Sequence, residues 1–147
     1  MRNRFITLLC LGFAILLGSC REKSADPAPD LINKRWMLKQ VDDRSIMVSS
    51  YSQDYDSFIE FSAQGNGVLG LAACSAIKGA FTLGAGSQQI RITQLTSTAG
   101  NCEDLNFAKT YLAALPQIKR YMVQGDQLML YDDYNTAAKP RLIFQAK

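Results

Sequence analysis

The sequence predicts a mainly β fold: an antiparallel meander closing into a small lipocalin-like barrel of about eight strands, with one inserted helix. Three observations carry this expectation. From Trp36 onward, short segments alternate apolar residues with polar or small ones at a period of two, which turns one face of each segment toward a core. Turn-forming residues separate the segments. A single window, about 103–115, has helical spacing instead.

The strands follow in order. Trp36 and Leu38 share a face of 35–41, and Ile59 and Phe61 share a face of 58–62. Leu69, Leu71 and Ala73 read as the apolar face of 67–74, followed by Phe81 and Leu83 in 79–83. Ile90 and Ile92 recur in 89–95, and Tyr121 and Val123 in 119–124. Leu128 and Leu130 recur in 127–131, and Leu142 and Phe144 in 141–145. The expected interior therefore holds Trp36, Phe61, Leu71, Phe81, Ile92, Leu130 and Phe144. Intervening positions such as Lys39, Glu60, Thr82, Arg91 and Gln145 are polar, the one-sided pattern of antiparallel sheets.

Gln64-Gly65-Asn66-Gly67 and Gly84-Ala85-Gly86-Ser87 supply residues that tolerate positive φ. Gly125-Asp126 between two alternating runs reads as a two-residue hairpin. A longer polar loop begins at Asp132. In the helical window, Leu105, Ala108, Leu112 and Leu115 lie on one face with Phe107 and Tyr111 beside them. Asn101 is a suitable cap, Glu103 and Asp104 place negative charge in the first turn, and Pro116 ends the helix.

The first nineteen residues read as an address. Arg2 and Arg4 precede an almost wholly apolar run, Phe5 to Leu17. As a helix that run reaches roughly 20 Å, short of the ~30 Å hydrocarbon core, so it fits a signal peptide better than a membrane span. It ends in Leu17-Gly18-Ser19-Cys20, which resembles the bacterial lipobox, whose cysteine becomes the lipidated first residue of the mature chain. The alternative is an ordinary secretory signal with a chance cysteine. Polar sequence follows Cys20 at once. Pro27 and Pro29 stand in the stretch Arg21–Asp30, which has no large apolar residue, so 20–33 is expected to be a flexible tether. The expected organisation is a signal peptide at 1–19, the tether at 20–33 and a barrel domain at 34–147.

The chain of 147 residues suits one domain. It is 48% hydrophobic and 20% charged, the balance of a folded protein. Sixteen basic against thirteen acidic side chains give +3; removing Arg2 and Arg4 with the signal leaves 14 against 13. That charge is too small to imply nucleic acid as a partner. There is no histidine, which removes Ser-His and Cys-His nucleophile pairs, imidazole bases and His-ligated metal sites.

The order of motifs resembles the META domain, the family known also from the heat-shock-inducible protein HslJ. Trp36-Met37-Leu38 fits its Trp-x-Leu first strand and Phe58-Ile59-Glu60-Phe61 its aromatic second strand. Cys74 with Gly79 and Phe81 fits its Gly-Cys-Asn-x-x-x-Gly-x-Tyr, and Thr98 with Cys102 its Thr-x-x-x-Cys. Tyr121 through Gly125-Asp126-Gln127-Leu128-Met129-Leu130 fits its last motif. Ala73 and Ser75 stand where the family has glycine and asparagine, and Lys34 where a glycine is common. The resemblance spans 34–147. It implies a lipocalin-like barrel and an envelope location, and carries no catalytic set with it.

The candidate sites are few. Of the four cysteines, Cys10 leaves with the signal and Cys20 is acylated, so Cys74 and Cys102 remain; an even pair in an oxidising compartment reads as a disulfide, with buried free thiols as the alternative. Two thiols without histidine do not make a structural zinc site, so no metal and no cofactor are expected. The Asp42/Asp43, Asp54/Asp56 and Asp132/Asp133 pairs read as solvated turns. Trp36, Tyr51, Tyr55, Tyr121 and Tyr131 are candidates to line a ligand cavity, against the alternative that they fill the barrel.

The expected function is a non-enzymatic, monomeric, lipid-anchored protein of the bacterial envelope, on the outer membrane. It is read as a binding or stress-protective module, held to the membrane by lipid on Cys20 and meeting an envelope protein there. The alternatives are a carrier of a small apolar ligand and an inhibitor of a wall-degrading enzyme acting through Arg44–Ser57.

Overall fold

The computed structural model describes residues 30–46, 57–84, 88–98 and 106–147. Nine strands and one α-helix lie among them. They are β1 (Arg35–Val41), β2 (Arg44–Ser45), β3 (Phe58–Phe61), β4 (Gly67–Ala72), β5 (Ser75–Leu83), β6 (Ile90–Ser97), α1 (Asn106–Ala114), β7 (Arg120–Gln124), β8 (Gln127–Tyr131) and β9 (Leu142–Ala146). Eight strands form one antiparallel sheet in the order β6-β5-β4-β3-β1-β9-β8-β7, and the short β2 pairs with β1 off that path.

The sheet curls into a half-barrel. Its two ends, β6 and β7, meet at one point: Gln89 bridges Arg120, Ile90 N–H donates to the Lys119 carbonyl at 3.1 Å, and Tyr121 N–H donates to the Gln88 carbonyl at 2.8 Å. Beyond that junction the β6–β7 gap is not laddered, so closure is less complete than in the expected barrel. The 3₁₀ turn Leu115–Gln117 that follows α1 packs against β6. A bulge bends β6 where Lys78 opposes Thr96 but Ala80 opposes Thr93, with Gln94 at φ 52°. Extra residues of this kind increase local twist and help a sheet curl.

At two of the expected turns the chemistry gives the local structure it predicts, while residues 85–87 of the third lie outside the described residues. Gly65 (φ 70°) and Asn66 (φ 51°) bring the chain from β3 into β4, and Gly125 (φ 59°) makes the β7–β8 hairpin. The helix differs at its end. The chain passes from Ala114 through a 3₁₀ turn that includes Pro116, whose missing N–H costs nothing in the first turn of a new helix. Asn101 and residues 102–105 lie outside the described residues.

Trp36, Phe61, Phe81, Ile92, Leu130 and Phe144 are buried, as the alternation predicts. Leu71 corrects the expectation for β4. The inward row is Val68, Gly70 and Ala72, while Leu71 is half-buried and Leu69 is 48% exposed. Leu69 instead joins an outward row, Arg35–Glu60–Leu69–Lys78, across four strands. Small residues inside β4 leave room for α1, which packs against β1 and β4. A methyl on Gly70 would stand 2.5 Å from the Phe58 carbonyl oxygen.

The domain boundary moves as well. Leu31 and Ile32 are buried in the core rather than part of a tether ending at 33. The Trp36 indole N–H donates to the Leu31 carbonyl at 2.9 Å, and Asn33 N–H donates to the Phe61 carbonyl at 2.9 Å. Two large aliphatic residues at the end of a polar stretch have apolar area to bury, and they bury it.

Candidate functional site

The aromatic candidates separate. Trp36, with Phe61, Phe81, Tyr111 and Phe144, fills the interior; Phe61 and Phe81 meet edge to face with centroids 5.2 Å apart, and Tyr111 and Phe144 at 6.0 Å. Tyr121 points inward, opposite Leu130. Burial, and after it Asp30, raises its phenol above the usual tyrosine range. Tyr131 is also buried but opposes Arg120, on the other face of the sheet. These three do not line a common cavity. Tyr51, Tyr55, Cys20 and Cys102 lie outside the described residues, as does most of Arg44–Ser57.

Cys74 sits half-buried in the turn between β4 and β5, where the preceding Ala73 has φ 53°. Two hydrogen bonds tie the start of β5 to the chain leaving β6. Thr98 N–H donates to the Ala76 carbonyl at 3.1 Å, and Ala76 N–H donates to the Thr98 hydroxyl at 3.1 Å. The chain four residues before Cys102 is therefore fixed two residues from Cys74.

A surface cleft of about 630 Å³ opens between the β1–β2 hairpin and α1. Val41, Ile46 and Phe107 supply its apolar wall; Asp42, Asp43 and Arg44 stand at its polar side. It combines an apolar surface with a few polar groups, the usual composition of a ligand site.

A second arrangement, built on two arginines, was not singled out by the sequence reading. Arg141, just before β9, donates from Nη1 to Asp132 Oδ2 at 2.7 Å. Its Nε stands 3.0 Å from Asp42 Oδ1, near enough for an ion pair but not aligned for a hydrogen bond. The hydrogen bond to Asp132 is the main reason its guanidinium is held above even the usual arginine value. Asp42 and Asp132 are thus ion-paired residues of two neighbouring loops rather than simply solvated turns. Lys139 and Asp43 lie 3.7 Å apart at the surface.

Arg120, first residue of β7, is 5% exposed, and its guanidinium carbon lies 3.7 Å from the Tyr131 ring centroid. Its Nη2 donates to the Asn135 carbonyl at 3.2 Å, while Nε and Nη1 have no partner. The loop between β8 and β9 covers it and is organised by its own side chains. Asn135 N–H donates to Asp133 Oδ1 and Ala137 N–H to Asn135 Oδ1. In sequence, Arg120 looked like one more polar position of an alternating strand; only the covering loop makes it buried. Among the described residues no cluster of three or more Cys, Asp or Glu side chains is placed to hold a metal.

A curled antiparallel half-barrel with one helix and an interior filled by its own side chains is the class of protein this architecture defines. Residues 29–147 match the META domain, and the chain belongs to that family. The match begins five residues before the boundary expected from sequence and takes in Leu31 and Ile32. A solved structure of a protein from Burkholderia xenovorans has a similar fold, with a TM-score of 0.56 and 24% identity over 80% of this chain and 83% of that one. No curated protein matches the chain.

Proposed function

We propose that this META-domain protein is a non-enzymatic, lipid-anchored module of the bacterial envelope that works by binding, with a stress-protective role. One observation carries the reading: Leu17-Gly18-Ser19-Cys20 follows a charged start and a short apolar run and is followed at once by polar sequence. The domain begins close behind it. Nine residues, 21–29, separate Cys20 from the start of the described fold, a reach of about 28 Å at ~3.1 Å per residue. A lipid on Cys20 would hold the barrel close to the bilayer. Dual acylation supplies the stable anchoring that one chain does not.

The same reading makes Cys74 and Cys102 a disulfide, since export exposes both thiols to an oxidising compartment. The Thr98–Ala76 hydrogen bonds favour that pairing by holding the two segments together. Binding is assigned to the outside of the half-barrel, because the interior aromatics fill the space a carrier would need.

A second reading rests on the cleft between the β1–β2 hairpin and α1. Its volume of about 630 Å³ and its Val41, Ile46 and Phe107 wall favour a small apolar ligand at the surface of the barrel. Fractionation of the native host tests the first reading: wild-type protein stays with the membranes until detergent releases it, and Cys20→Ala is recovered without detergent. Native mass spectrometry of the same preparation tests the second. A co-purifying small molecule that Phe107→Asp displaces supports the carrier, and an unliganded mass in both variants removes it.

A further inference from the structure

Arg120 is the only charged side chain among the described residues that is buried. A guanidinium stays charged at any physiological pH, so withdrawing it from water is costly unless partners replace the solvent. Arg120 gets two partial replacements. The Tyr131 ring covers one face at 3.7 Å, and the Asn135 carbonyl takes one hydrogen of Nη2. Among the described residues no carboxylate is paired with it, whereas Arg141 on the same sheet face has two.

The geometry of what remains is specific. A guanidinium has two in-plane edges that offer parallel N–H pairs, and each uses one of the two Nη2 hydrogens. Asn135 takes one of these, so one edge keeps both of its donors. Stacking on Tyr131 leaves that edge free, because a ring contact occupies the face and hydrogen bonds lie in the plane. The partner such a fork matches is a planar carboxylate or a similar oxyanion.

The surroundings offer an approach. A surface cavity of about 740 Å³ lies beside Arg120 without reaching it: Ile90, Lys119, Asp132 and Tyr134 are in its wall, and Arg120 is not. Lys119 lies 5.7 Å over the Tyr134 ring, adding a second cation beside the route. Because Arg120 is 5% exposed, a ligand reaches the guanidinium only if the Asp132–Arg141 loop opens, a route that suits a small solute better than a folded partner.

We infer that Arg120 is the anchor of a small-carboxylate binding site, closed over by the β8–β9 loop. The anion supplies the counter-charge the fold withholds, and its binding fastens that loop to the sheet. The site is independent of the anchoring proposed above and of the cleft beside α1.

The test uses the full chain and acetate as probe, with chloride at matched ionic strength as control. The wild-type melting temperature should rise saturably with acetate and not with chloride. The ¹⁵N–¹H signal of Arg120 Nε should shift along the same titration curve. Arg120→Met, which removes an unpaired buried charge, should melt no lower than wild type without acetate and show no acetate response. Arg120→Lys keeps the charge without the fork and should bind acetate at least about tenfold more weakly. If Arg120→Met fails to fold, the Nε titration of the wild type decides alone. An Nε signal indifferent to acetate, or a melting response that survives in Arg120→Met, overturns the site.

Discussion

The Tyr111 hydroxyl donates to the Phe58 carbonyl at 3.2 Å, joining the middle of α1 to the first residue of β3. Full burial drives its pKa far above the tyrosine value. The unfolded chain would lose this proton near pH 10 while the folded chain keeps it. The stability Tyr111 contributes is therefore complete below pH 10 and is lost as the pH climbs above it. Wild type should lose up to about 1.4 kcal/mol per pH unit more steeply there than Tyr111→Phe. At neutral pH the substitution should cost about 1 kcal/mol for the hydrogen bond. Denaturant melts from pH 8 to 11 give both numbers.

Gly70 stands against the same carbonyl. A methyl at that position would lie 2.5 Å from the Phe58 oxygen, and backbone on both sides has little freedom to move. Gly70→Ala should destabilise the protein by about 1–3 kcal/mol, where a glycine-to-alanine change in an open strand would stabilise. Thermal melting reads this directly. A neutral result would mean that the β3–β4 pair can separate without loss.

Leu31 tests the start of the domain. It is fully buried and its carbonyl holds the Trp36 indole, so Leu31→Ala should cost about 2–5 kcal/mol. A chain shortened to begin at residue 34 should lose at least as much. Calorimetry of both separates a domain that begins at Asp30 from one that begins at the first strand.

Much of this fold was legible because alternation is a strong signal where both phases differ in polarity. β1 and β8 have the bounds the pattern gives, and the Gly125-Asp126 hairpin follows from a residue that tolerates positive φ. β4 was misread because its inner row is small. Val68, Gly70 and Ala72 carry less apolar area than the outward Leu69 and Leu71, so a rule that turns the larger side chains inward picks the wrong face. The helix behind β4, which takes the missing volume, begins at Asn106, 34 positions after β4 ends at Ala72. The arginine pair was hidden for a related reason. Arg120 is buried by a loop, and Arg141 finds Asp42 through the pairing of β1 with β9, neither of which a local window contains.

The Cys74–Cys102 bridge of the proposed exported protein would close a 29-residue loop, for which chain entropy suggests about 3.5 kcal/mol. Reduction should lower the melting temperature by many degrees, and Cys74→Ser should do the same without reductant. Thiol counting under denaturing, non-reducing conditions should find neither cysteine free. Two titratable thiols would make both residues core fillers and remove the stability difference.

Cys20 decides whether the protein is anchored as proposed, and the intact mass of the mature protein from its own host reads its state. The expected chain begins at Cys20, lacks residues 1–19 and is heavier than residues 20–147 by the mass of a diacylglycerol with or without a further acyl chain. An unmodified chain, or one that retains residues 1–19, would contradict the anchoring.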